Sequence, residues 1–356
     1  MVLASKRAVW HRNPGRLYVC LMPKQWWLAA FAGAGLLLAL ANLAFGSVPI
    51  PLAEVWAVLI HGGQGPAGAI IMQVRLPEVI TAAAAGAGLA AAGLLMQTIF
   101  HNPLAGPGVL GITGGASLGV AVVLLATPFW GLLPIAADLM AILAALAGAV
   151  AVLLVIAFSD RRVGDGVTLL VLGLMIGYLC SAVLSVLQAG SEAGALKGFV
   201  LWGMGSFAGV VLPRTPWLVL PVLVGVVAAL GLSKPLNAML LGDEQARTMG
   251  VDVRRVRSVA IWTTGLLGGT ITAFCGPVAF LGLAVPHVAR AFTRTADHRL
   301  LMPATVLLGA ALALACDLLV RSAWAGVVLP LNAVTSLLGV PVVIWVLIGG
   351  RSWVRK

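Results

Sequence analysis

An all-α integral membrane protein is the fold class this sequence predicts, and three observations predict it. Hydrophobic residues make up 61% of the 356 positions and charged residues only 9%, against roughly 25% charge in soluble domains. Mean hydropathy is +1.08. The apolar runs are long and do not alternate, so they read as helices rather than barrel strands. The 43 glycines suit membrane helices that approach closely through small side chains.

A membrane helix needs about 20 mostly apolar residues, and the runs break at Pro, Gly and charge clusters. Ten spans result, at 26–45, 69–98, 109–126, 135–158, 167–188, 215–232, 259–275, 277–293, 300–320 and 331–349. The first run is longer than the apolar core of a signal peptide, so it reads as an uncleaved helix. Leu52–Ile60 and Leu196–Phe207 are amphipathic and read as surface helices. Leu240–Arg257 is a polar insertion expected to form two short helices around Gly250. The chain divides into an extension at 1–25, a membrane domain at 26–350 and a tail at 351–356.

Charge sets the orientation. With the N-terminus in the cytoplasm, only Arg75, Lys197, Arg214 and Arg321 of the 22 lysines and arginines fall outside. Positive residues stay on the cytoplasmic side, so ten crossings leave both termini there. The net charge of +11 is thereby a matter of topology, and no nucleic-acid partner is implied. Helices two to five and seven to ten are offset by an odd number of crossings, so any repeat between them is inverted. GLAAAGLL (Gly88–Leu95) and GLLGGTI (Gly265–Ile271) each lead into a Pro/Gly break.

Several chemistries are absent. Cys20, Cys180, Cys275 and Cys316 are scattered, with no CxxC pair or Cys/His cluster, so neither a disulfide nor a metal site is expected. No nucleophile constellation suggests an enzyme. No GxxxxGK[ST] phosphate loop occurs, so the chain does not itself bind ATP in the usual way. Gradient-driven carriers bury ionisable residues at mid-membrane depth, and mid-helix charge is nearly absent. If such a chain moves a solute, these absences favour a partner ATPase as the energy source. A gradient-driven carrier is the rival reading, and it predicts uptake without one.

The stretch FHNPLAGPGVLG (Phe100–Gly111) breaks the second helix with two prolines and three glycines. Such backbone is tolerated at membrane depth only against protein or a water-filled path, so it is either a surface turn or part of a pathway.

Arg75–Gly119, RLPEVITAAAAGAGLAAAGLLMQTIFHNPLAGPGVLGITGGASLG, resembles the signature of the iron-chelate and cobalamin permease family of ABC importers. LWGMGSF (Leu201–Phe207), LGDEQARTMGV (Leu241–Val251), GPVAFLGLAVPHVAR (Gly276–Arg290), DHRLLMPATVLLGA (Asp297–Ala310) and LPLNAVTSLLGVPVVIWVL (Leu329–Leu347) follow in family order. The resemblance implies a permease subunit in the bacterial inner membrane that pairs with a second copy of itself. It also implies two ATP-binding cassette ATPases, which carry the ATP and Mg, and a periplasmic substrate-binding protein. The permease itself holds no cofactor. Haem, ferric siderophores and cobalamin all travel by this architecture, and family frequency favours an iron source.

Residue by residue, the resemblance makes Asn102 and Leu104 a cytoplasmic gate that meets its copy across the dimer axis. A second gate falls near Asp165–Thr168, where RRVGDGVT departs from the small-hydroxyl run of the family. Leu241, Gly242, Glu244, Arg247, Met249 and Gly250 fall in the segment that couples to the ATPase. Arg75 and Arg321 match arginines that pair with glutamates of the docking binding protein. A second arginine often follows in the pattern RLPR, where this chain has Glu78. The plainer reading of both arginines is interfacial snorkelling. Asp317 stands four residues before Arg321, the spacing of a helical ion pair. His101 reads as a surface residue and His287 as a packing residue beside Pro286.

Overall fold

The computed structural model describes residues 24–46, 48–63, 65–125, 137–163, 165–321 and 329–349. The extension, apart from residues 24 and 25, and the tail lie outside them, as does Cys20. Every regular element among the described residues is helical. In chain order these are α1 (Trp26–Ala44), α2 (Leu52–His61), α3 (Pro66–Ile99), α4 (Ile112–Leu125), α5 (Ala137–Val163), α6 (Gly166–Ala189) and α7 (Ala193–Gly203). They continue with α8 (Thr215–Gly231), α9 (Ser233–Met239), α10 (Asp243–Thr248), α11 (Val253–Cys275), α12 (Leu281–Thr293), α13 (His298–Arg321) and α14 (Leu331–Gly349).

Seven of these are long and apolar enough to cross a membrane: α1, α3, α5, α6, α8, α11 and α13. The ten expected spans each contain a helix, but the third and eighth are shorter than the sequence implies. The expected 109–126 starts late because Pro107–Leu110 forms a 3-10 turn and Gly111 adopts a left-handed conformation, leaving 14 residues for α4. The expected 277–293 loses its first turn because Gly276 and Phe280 both have positive φ, leaving 13 for α12. Asn332 holds that segment open: its amide donates to the carbonyls of Pro277 and Gly203, and its oxygen accepts from the Ala279 N–H.

The polar insertion also differs from expectation. Its first half is α10, but its second half is the start of α11, which runs without a break from Val253 to Cys275. Asp252 caps α11 by accepting from the Arg255 N–H at 3.0 Å, so the chain has no need to end a helix before the apolar run. Within α3, residues 70–75 take π-helical geometry.

At the centre of the fold is α3, where every residue from 88 to 100 is buried. Around it pack α8, α11, α12 and α13, while α4 lies against α5 and α6. Small residues make this closeness attainable. A methyl group on Gly93 would collide with the carbonyl of Gly282 on α12, and one on Gly86 with the carbonyl of Gly309 on α13.

Side-chain contacts sort the polar residues to two opposite ends. Residues 42–48, 75–78 and 317–321 meet at one, and residues 97–104, 160, 237–243, 257 and 297–298 gather at the other. Successive long helices run between the two ends, as an antiparallel multi-pass chain must.

Candidate functional site

The loop after α3 is held by backbone turn hydrogen bonds, such as Asn102 N–H to the Gln97 carbonyl and Ala105 N–H to the Asn102 carbonyl, and by side chains as well. His101 turns the chain with φ of 46°. Its Nε2–H donates to the Met239 carbonyl on α9 at 2.9 Å. The Asn102 carboxamide oxygen accepts from the Leu104 N–H at 2.9 Å, closing a tight turn that leaves the Leu104 side chain 42% exposed. His287 of α12 donates from Nε2 to the Pro103 carbonyl at 2.7 Å. Asn102 and Leu104 thus share one turn, gripped from both sides. His287 packs as expected, and it also anchors this loop.

The start of α6 reaches the same place. Gly166 lies against Phe100, with space for a Cβ only 3.4 Å from its ring. Asp165 caps α6, accepting from the Thr168 N–H at 2.9 Å and from its hydroxyl at 2.7 Å. These two bonds, the backbone one first, hold the exposed Asp165 carboxyl below its ordinary pKa. The two stretches singled out as gates are therefore neighbours in space.

Beside them stands α10. Gly242 and Gly250 bracket it with φ of 102° and 83°, conformations that favour glycine. Glu244 and Arg247 pair with each other at 3.2 Å on its exposed face. Leu241 and Met249 are 61% and 62% exposed, an apolar pair displayed at a polar end. Ala246 is buried and seats the helix. Beneath it Arg257 of α11, its side chain 4% exposed, reaches Asp243 at 2.7 Å and Asp160 of α5 at 3.8 Å.

At the opposite end the two arginines are not held as snorkelling residues would be. Arg75 is 3% exposed. It donates to the carbonyls of Leu43 at 2.6 Å and Ala44 at 2.9 Å, and also to that of Val48. Arg321 pairs with Asp317 at 2.6 Å and Glu78 at 3.3 Å and donates to Asn42. The expected i,i+4 pair is present. Both guanidiniums point inward because the chain offers them partners there, and a buried charge without partners is expensive. Glu78, which departs from the RLPR pattern, is one of those partners.

Among the described residues no three His, Cys, Asp or Glu side chains converge as a metal site would require. Sequence reasoning did not single out Arg257 or Asn332. Arg257 sat in a basic run, RRVR, that reads as a solvated face, and only the two aspartates reveal its burial.

A match to one transport family runs from residue 34 to 349, from inside α1 to the end of α14. The chain belongs to the FecCD transport family. The vitamin B12 import system permease protein BtuC of Shigella boydii serotype 18 is 36% identical over 333 residues, which cover 91% of this FecCD chain and 95% of that protein. BtuC of Escherichia coli O127:H6 is 36% identical over 330 residues, 90% and 94% of the two chains. A solved structure of a transporter assigned to the metal-chelate ABC type, in an inward-facing conformation, superposes with a TM-score of 0.78 at 28% identity, covering 91% and 98%. The FecCD chain is thus a multi-pass permease of an ABC importer. Family frequency favoured an iron source, but the relatives named here are vitamin B12 permeases.

Proposed function

We propose that this chain is the membrane permease of an ATP-driven importer of a corrinoid such as cobalamin, acting in the bacterial inner membrane. The observation that supports it best is the 36% identity to BtuC along nine tenths of both chains. Two copies enclose a central path. Ten crossings, arranged as inverted repeats, leave both termini in the cytoplasm, with the loop of Asn102 and Leu104 closing the exit.

Two ATP-binding cassette ATPases, which hold the ATP and Mg, grip α10. Leu241 and Met249 offer them apolar anchors, and Glu244 and Arg247 offer polar contacts around those anchors. Movement of α10 is passed to the neighbouring gate stretches. A binding protein delivers the ligand at the opposite end, on a surface that Arg75 and Arg321 brace from beneath. A ferric chelate is the second reading, supported by the metal-chelate transporter of similar structure.

The test is reconstitution in liposomes with the ATPase and the binding protein, followed by ATP-dependent uptake of cobalamin, a ferric siderophore and haem. Uptake of cobalamin above the other two supports the proposal. Uptake driven by a pH or sodium difference without any ATPase would overturn it.

A further inference from the structure

The contacts of Arg257 carry an inference that rests on reading α10 as the ATPase-coupling helix. Three elements meet at this one guanidinium: the consecutive helices α10, through Asp243, and α11, through Arg257 itself, and the last turn of the more distant α5, through Asp160. Its side chain is 4% exposed, those of Asp160 and Asp243 11% and 29%. Five residues after Asp160, Asp165 caps α6, and the first residue of α6 lies against Phe100 at the gate loop.

The other connections described among α10, α11 and α5 are softer. The turn joining α10 to α11 contains Gly250 at positive φ. Along their length α11 and α5 meet through Gly265 on Leu153 and Gly269 on Ala149, apolar contacts that have no preferred direction. The Arg257–Asp243 contact at 2.7 Å is a directional, charge-assisted hydrogen bond, and Asp160 at 3.8 Å is drawn to the same guanidinium by charge attraction. Separating a buried pair leaves an uncompensated charge, which is strongly unfavourable. A displacement of α10 therefore draws the end of α5 with it instead of sliding past.

We propose that Arg257 is a positioning residue that transmits motion of α10 to the end of α5 and the start of α6, and so to the gate. It touches neither ligand nor ATPase. Its removal leaves ATPase binding in place and lowers the solute moved per ATP.

The experiment uses the full chain in liposomes with its ATPase and binding protein. ATPase retention, ATP hydrolysis and cobalamin uptake are measured together. Arg257→Met keeps the length and apolar stem without the charge. It is expected to retain the ATPase and hydrolyse ATP, while uptake per ATP falls about tenfold, the scale of a typical coupling free energy. Arg257→Lys, which keeps one charge, restores part of that ratio; a merely structural role would not show in the ratio. Asp243→Asn removes only the arm toward α10, and it decides the matter if Arg257→Met is not recovered folded. Unchanged uptake per ATP in the variants recovered, or loss of ATPase binding in step with transport, overturns the proposal alone. An unmodified chain that holds no ATPase overturns the coupling reading and this proposal with it.

Discussion

The Glu78 carboxylate lies 3.3 Å from the Arg321 guanidinium, joining α3 to the end of α13 across 243 positions of sequence. Arg321 has two other partners, Asp317 at 2.6 Å and Asn42. Replacing Glu78 with Gln therefore weakens one arm of a shared site. A loss of about 1.5–3 kcal/mol is expected, the range for a hydrogen bond to a charged group. Glu78→Arg restores the RLPR pattern but places a third cation beside Arg75 and Arg321, and it should be worse than Glu78→Gln. Thermal unfolding of the detergent-purified chain orders the three proteins. An arginine variant as stable as the unmodified chain would contradict the inward pairing of Arg321.

Close approach of α3 to its neighbours makes a second prediction. Gly93→Ala drives a methyl group into the Gly282 carbonyl, and the backbone on both sides leaves nothing flexible to give way. The expected loss is about 1–3 kcal/mol or more, as for other overpacked cores. Gly33, inside α1, has nothing within 4 Å of the same position. Gly33→Ala should be neutral, or favourable by up to about 1 kcal/mol from helix propensity. Melting temperatures of the two variants should move in opposite directions or differ plainly. Equal shifts would mean that α3 and α12 are farther apart than described.

These examples show what could be read from the sequence and what could not. The long runs marked every long helix because hydropathy and length suffice to define a membrane span. The starts of α4 and α12 were misplaced because left-handed residues at Gly111, Gly276 and Phe280 interrupt runs whose composition stays apolar. The loop after α3 was visible as prolines and glycines. Its grip by His287 and by the Met239 carbonyl was not, since those contacts span 184 and 138 residues. Arg75 and Arg321 were expected on the same side of the membrane, and both meet residues of the same end of the bundle. Only their neighbours in space reveal that both side chains turn inward.

Asp165 provides a prediction about pH. Its folded pKa lies below the ordinary carboxylate value because the Thr168 N–H and hydroxyl both bond the ionised form. The unfolded chain then binds more protons than the folded one in the acid range. The cap's contribution is fully present above the ordinary carboxylate value of about 4 and is lost as pH falls through the folded value beneath it. Hydrogen exchange at the Thr168 and Leu169 amides should therefore quicken on acidification, relative to its intrinsic rate. Asp165→Asn should keep much of the protection and lose its pH dependence, while Asp165→Ala should lose both. A pH-independent protection factor in the unmodified chain would show that the cap is not formed.

The last prediction separates stability from coupling on α10. Glu244 and Arg247 pair on the surface, their side chains 85% and 50% exposed. Exposed pairs contribute at most about 1 kcal/mol, because solvent and salt screen them and two long side chains must be ordered. Replacing both with alanine should therefore leave the melting temperature nearly unchanged. At an interface the same groups surround the exposed apolar pair Leu241 and Met249, whose burial removes apolar surface from water, whereas charges left at an exposed rim contribute little. Leu241→Ala with Met249→Ala should then weaken ATPase capture more than Glu244→Ala with Arg247→Ala does, and neither double variant should unfold the chain. Affinity capture of the ATPase from a defined mixture, with melting measured on the same samples, reads both quantities. Full ATPase capture and normal ATP-driven uptake by both double variants would remove α10 from the coupling role, and the partner's grip would have to be sought elsewhere at that end of the molecule.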